Sequence, residues 1–140
     1  MSAAESTLTP RQALKSPALV GTIGLAAAGL LHFHDPHNSG AYGFCPFLAI
    51  TGRPCPGCGG LRAINDLTRL DVGAAVSSNA LAVALVVVLA VAYIRWIANR
   101  WRGEDIPMIV LSPRTGVAVM TLLVVFAMVR NTPWGSWLAP

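Results

Sequence analysis

Three stretches of this chain are apolar over lengths that suit a bilayer, and most of the polar residues fall outside them. The first is 17–33, interrupted only by glycine and Thr22 before the histidines. Its core of sixteen residues, Ala18 to Phe33, rises roughly 24 Å, slightly under the ~30 Å of a hydrocarbon layer. The second, 74–97, carries no polar side chain from Ala80 to Ala92 and rises roughly 36 Å, enough to cross with some tilt. The third runs over 113–130, with Ser112-Pro113 as an N-cap and first-turn signal. Between the first two spans, residues 61–72 alternate Leu61, Ile64, Leu67 and Leu70 with Arg62, Asn65, Asp66, Arg69 and Asp71. That spacing predicts a short amphipathic helix on the membrane surface, leucines toward lipid and charges in water. Arg62 and Asp66, four apart, are expected to pair on its solvated side.

Composition strengthens the membrane reading. Of 140 residues, 54% are hydrophobic and 11% charged, against about 25% charged in soluble domains. The fold class expected is an all-α integral membrane protein. A polar tail over 1–16 precedes a single membrane domain over 17–140. A cationic start with small residues at Ala26 to Ala28 also fits a cleaved signal peptide. Net charge is only +4, too little and too scattered for a nucleic-acid surface. Its distribution says more. Arg11, Lys15 and the Arg95–Arg114 group flank the spans on one side, with Tyr93, Trp96 and Trp101 as interfacial anchors. Trp134 and Trp137 mark the other interface. By the positive-inside rule the N-terminus is cytoplasmic, and the cysteine loop and C-terminus are extracytoplasmic, in the cell's inner membrane.

The loop over 34–60 holds the candidate chemistry. It opens with turn formers, Asp35-Pro36, Asn38-Ser39-Gly40 and Gly43, and then contains all three cysteines, Cys45, Cys55 and Cys58. Cys55-Pro56-Gly57-Cys58-Gly59 has the form of a metal knuckle, whose glycines permit a tight turn. Cys45 supplies a third ligand, and His34, with His32 and His37 as rivals, a fourth for zinc. A disulfide from Cys45 to Cys55 or Cys58 is the main competitor in an oxidising compartment, worth about 3 kcal/mol by chain entropy. A redox pair at Cys55 and Cys58, and reduced thiols packed in a re-entrant loop, are also open. Beside the knuckle, Arg62 is suited to lowering a thiol pKa or holding a lipid phosphate. Asn79, polar at the start of the second span, is expected to bond backbone rather than serve transport.

The run Cys45-Pro46, Thr51-Gly52, Cys55-Pro56-Gly57-Cys58-Gly59 and Arg62-Ala63 resembles an uncharacterised bacterial membrane family, a domain of unknown function. The resemblance extends to Asp35-Pro36, Gly40-Ala41-Tyr42, Asn79 and the closing Leu138-Ala139-Pro140. It implies a small multi-pass protein with a cysteine-bearing loop and no settled activity.

No nucleophile–histidine–acid set, paired carboxylates or phosphate loop is visible, so the chain is not expected to be an enzyme. No cofactor is expected other than zinc in the alternative reading, and no small-molecule substrate is evident. The first functional expectation is an accessory or assembly subunit that docks within the bilayer on a larger membrane complex, a respiratory-chain complex being one case. Small residues along the first span, Gly21, Gly24, Ala28 and Gly29, would let another helix approach. The alternative is a metal-binding or thiol-redox module at the cysteine loop.

Overall fold

The computed structural model describes residues 14–38, 40–42, 45–110, 112–135 and 137. The tail over 1–13, with Arg11, and the closing 138–140 lie outside the described residues. Among the described residues five helices follow in order: α1 (Lys15–Phe33), α2 (Pro46–Thr51), α3 (Gly60–Thr68), α4 (Val72–Trp101) and α5 (Pro113–Arg130). No strand occurs among the described residues. α1, α4 and α5 are each long and apolar enough to span a membrane, and only 6–11% of their hydrophobic windows is buried within the chain. Their outward leucines and valines, which water would reject, are what a hydrocarbon layer covers. The chain is a three-span helical membrane protein.

Local signals account for the helix ends. Ser112 Oγ accepts from the Thr115 N–H at 3.2 Å, and Pro113 occupies the first turn of α5, as the sequence predicts. Asp71 Oδ1 caps α4 by accepting from the Ala74 N–H at 2.9 Å, so the helix begins at Val72. α4 then runs to Trp101, past the expected end at 97, through the segment where Trp96 is buried and Arg100 meets Asp105 at 2.7 Å. Trp96 is thus packed inside rather than anchored at an interface, while Trp101 stays exposed. Inside α4, Asn79 leaves helical geometry at φ −166° and ψ 97°, dividing the helix into a short first part and a long span.

The polar side of the small α3 turns into the chain rather than, as the sequence predicts, into water. Asn65 and Asp66 are buried, whereas Leu61 and Leu70 are exposed. Its polar side faces α1 and α4 because partners wait there. Asn65 Nδ2 donates to the Leu31 carbonyl at 2.6 Å, and Arg69 Nε donates to Asn65 Oδ1 at 3.1 Å. Ser78 Oγ donates to Asp66 Oδ2 at 2.9 Å, and His37 Nε2 lies 3.4 Å from Asp66 Oδ1. Arg62 consequently does not pair with Asp66, and its Nε reaches the Pro36 carbonyl at 3.4 Å instead. Burying a polar face is tolerable only when each group is satisfied, and these contacts provide that while the leucines face outward.

Two long-range contacts fix the topology. Tyr93 Oη donates to the Pro17 carbonyl at 2.8 Å, joining the start of α1 to the later part of α4. Gly21 lies directly beneath that Tyr93 ring, where a Cβ would collide with the hydroxyl. Gly24 and Gly29 face open space, so of these three glycines Gly21 serves the close approach within the chain. At the opposite end, Arg130 of α5 reaches the cysteine loop. The end of α1, α2, α3, the Asn79 break and the end of α5 therefore gather at one end of the bundle.

Candidate metal centre

The turns around the thiols follow from the residues between them. Cys45 is the N-cap of α2, with Pro46 in the first turn. The helix stops at Gly52, whose φ of 67° is left-handed and whose N–H closes on the Leu48 carbonyl at 2.9 Å. Thr51 Oγ1 donates to the Phe47 carbonyl at 2.6 Å and accepts from the Arg53 N–H at 3.2 Å, which turns the chain back. The Cys58 N–H then bonds the Cys55 carbonyl at 3.1 Å across Pro56-Gly57. Gly59, at φ 79°, starts α3. Each motif position from Pro46 to Gly59 thus shapes a turn that brings sulfurs together.

The sulfurs converge. Cys45 Sγ is 3.5 Å from Cys55 Sγ, and Cys55 Sγ is 3.0 Å from Cys58 Sγ. All three lie within 4.8 Å of one another. The thiols are free, well outside the ~2.05 Å of a bonded pair, so neither expected disulfide is formed. The Cys55 N–H donates to Cys58 Sγ at 3.2 Å, a knuckle contact that comes from the first cysteine of the pair.

Beneath the sulfurs the loop carbonyls are fastened by side chains from two spans. Arg130 Nη1 donates to the carbonyls of Cys55 at 2.8 Å and Cys58 at 3.1 Å. Asn79 Nδ2 donates to Pro56 at 2.9 Å and Cys58 at 3.0 Å, while its Oδ1 accepts from the Ala82 N–H at 2.9 Å. Asn131 Nδ2 donates to Pro54 at 3.1 Å. The carbonyls of Pro54, Cys55, Pro56 and Cys58 are thereby tied down. Asn79 does bond backbone, but backbone more than twenty residues away, and it also caps the long part of α4. Arg130 is 2% exposed and lies 5.3 Å over the Phe126 ring. Sequence reasoning treated Arg130 only as the edge of a span. The signal it offered was a cation followed by Asn131 immediately after an apolar run.

The environment separates the thiols. The Leu48 N–H at the open end of α2, with the Cys58 thiol next in effect, holds Cys45 down to about 7 without closing a full cap hydrogen bond. Burial pushes Cys58 up to about 12, with the neighbouring Cys55 thiol adding to it. Since the thiolate is the reactive form, iodoacetamide at pH 7 is expected to modify Cys45 well before Cys58. The rate gap should reach about a hundredfold after allowing for the greater nucleophilicity of the more basic sulfur. Peptide mass spectrometry over a time course reads the order, and Cys58 labelled ahead of Cys45 would contradict these environments.

The histidines are elsewhere. His34 sets its ring edge-on to Tyr42 at 5.3 Å, and Tyr42 Oη donates to the His34 carbonyl at 2.9 Å. His37 lies between Asp35, 2.8 Å from Nδ1, and Asp66. The His37 backbone N–H and ring hold the Asp35 carboxyl below its usual range. His32 Nδ1 meets Thr68 Oγ1 at 2.9 Å. Among the described residues, the metal-capable group contains the three cysteines and no histidine, so the fourth-ligand expectation for His34 is not met. His32 and His37 are drawn toward α3, and the His34 ring packs on Tyr42 of the 40–42 turn. Arg62 does border a cleft of about 580 Å³ that opens on Cys45 and Cys58.

A three-span membrane protein with three converging thiols at one end of the bundle is the class that fold and site define. Residues 45–93 match the family described as a protein of unknown function, DUF2752. The matched stretch holds all three cysteines and Asn79, whereas Asp35–Tyr42, Arg130 and the closing residues lie outside it. No curated protein and no solved structure matches the chain.

Proposed function

We propose that this chain is a membrane-embedded thiolate site that binds one soft metal ion, with zinc as the first candidate. The observation that carries the reading is the convergence of three free sulfurs within 4.8 Å on a loop whose carbonyls are clamped. Sulfurs bound to tetrahedral zinc at ~2.3 Å stand roughly 3.8 Å apart. The 3.0 and 3.5 Å separations at this site need to open by about 0.8 and 0.3 Å to reach that spacing. Thiolate donors select zinc, Cu(I) or iron–sulfur chemistry over hard cations. The reading is of binding rather than catalysis. The cation distribution supports an inner-membrane location with the N-terminus cytoplasmic and the thiols extracytoplasmic.

The accessory-subunit expectation is the second reading and is compatible with the first. α5 is held through its C-terminal end, and Val117 and Met120 on its sides stay exposed, so another membrane chain can lie against it. A respiratory-chain complex is one example of such a partner.

The test is titration of the reduced, detergent-solubilised full chain with Co²⁺ and then Zn²⁺. One equivalent of cobalt is expected to give sulfur-to-metal charge-transfer absorption, which zinc removes. The variant with all three cysteines changed to serine should give none. Metal binding displaces thiol protons, so affinity should climb with pH. Its logarithmic slope should fall by about one through pH 7, where Cys45 is already ionised, while Cys58 keeps a proton to displace throughout. A reduced protein that gives no cobalt absorption would sink the reading.

A further inference from the structure

We propose that the cleft beside the thiols takes a small thiol bearing a carboxylate, whose sulfur completes the metal's coordination and whose carboxylate is met by Arg62. The inference rests on the metal reading above and adds the class of ligand. Zinc takes four donors, and among the described residues only three cysteines form the group. The fourth donor must then arrive through open space. Such space exists on one side: the cleft of about 580 Å³ is bordered by Cys45 and Cys58, with Cys55 behind them. That volume falls within the range of small-molecule sites.

The walls specify the occupant. Among the described residues no acidic residue borders the cleft, and Arg62 is its only Lys or Arg. Arg62 Nε is held by the Pro36 carbonyl, which orients the guanidinium. Its two terminal nitrogens make no hydrogen bond among the described residues, leaving a forked donor that matches a carboxylate. Leu48 offers an apolar surface for a short methylene chain, and Tyr42 and Asn38 border the mouth. A soft all-sulfur donor set favours a soft fourth donor. The ligand thiol would bind as thiolate and release its proton to solvent, with no change of oxidation state. A site completed in this way can accept or surrender its ion together with the thiol that carries it.

The cobalt-loaded full chain in detergent provides the test, using 3-mercaptopropionate, 2-mercaptoethanol and 2-mercaptoethylamine as probes. All three carry the same sulfur donor on a two-carbon stem and differ in end group. Mercaptopropionate is expected to change the charge-transfer spectrum at about tenfold lower concentration than mercaptoethanol, the effect of one charge-assisted contact. Mercaptoethylamine should be weakest. At equal cobalt occupancy, Arg62→Gln should bring the three together, and Arg62→Lys should retain part of the preference. Gel filtration must find cobalt and protein together after thiol addition. Equal half-saturation in the native chain, a preference that survives Arg62→Gln, or cobalt stripped away by thiol would each overturn the cleft assignment while leaving the metal reading intact. Absence of cobalt absorption before any thiol is added overturns the metal reading itself, and this inference with it.

Discussion

Arg130→Ala is expected to loosen the thiol loop and weaken metal binding by 10- to 100-fold, the usual cost of losing support behind ligands. The guanidinium donates to the carbonyls of both Cys55 and Cys58 from a position that is 2% exposed. Alanine leaves the Cys55 carbonyl without that donor, and Cys58 keeps only its bond from Asn79. Hydrogen bonds from a charged donor contribute about 1.5–3 kcal/mol each. There is also a charge argument. Three thiolates around a divalent ion leave a net charge of −1, and Arg130 is the cation fastened to the loop beneath them. Arg130→Lys keeps the charge but presents a compact ammonium in place of the planar fork, so it should fall between alanine and the native protein. Zinc competition against a chromogenic chelator gives the affinity, and the rate of iodoacetamide labelling of Cys58 in the metal-free chain reports loosening of the loop. Native affinity and native labelling in Arg130→Ala would show that the clamp has no part in the site.

The second large effect is expected at Asn79, and two substitutions separate its two tasks. Asn79→Ala removes two donor contacts to the loop and the acceptor that caps the long part of α4. With hydrogen bonds worth about 1 kcal/mol net and unsatisfied buried groups costing 1–3 kcal/mol, the loss should be about 3 kcal/mol. Asn79→Asp keeps an acceptor for the Ala82 N–H, but an ionised carboxylate cannot donate to Pro56 and Cys58, and it faces their oxygens instead. Helix content on heating should therefore be better preserved by aspartate than by alanine. Thiol labelling of the loop should accelerate at least as much with aspartate as with alanine. Native labelling rates in Asn79→Asp would remove Asn79 from the loop's support.

The two predictions rest on residues that the sequence made visible to different degrees. Asn79 stands out as a polar interruption in a long apolar run, and its role as a backbone partner could be inferred because an amide inside a membrane needs hydrogen bonds. Which backbone it meets could not, since Pro56 and Cys58 are more than twenty residues away. Arg130 was harder to read. A cation ending an apolar span is so commonly an interfacial anchor that its burial against the loop has no local signature. The same difficulty explains α3. The alternation of Leu61, Ile64, Leu67 and Leu70 with polar residues defines an amphipathic helix, but periodicity does not say which face turns inward. At a membrane boundary the outside can be the apolar side, and here Ser78, His37 and the Leu31 carbonyl draw Asn65 and Asp66 in.

By itself the sequence determined the three spans, the Ser112-Pro113 start of α5, the cation-rich flanks and the knuckle form of Cys55 to Gly59. Each of these depends on length, hydropathy or neighbouring residues. Only the tertiary structure decided that Cys45 joins Cys55 and Cys58, that the histidines do not, and that Arg130, Asn131 and Asn79 hold the loop. The reason is physical. Span formation is governed by the local match between side chains and hydrocarbon. The thiol centre is governed by where three distant helix ends meet, and that depends on packing between elements far apart in the chain.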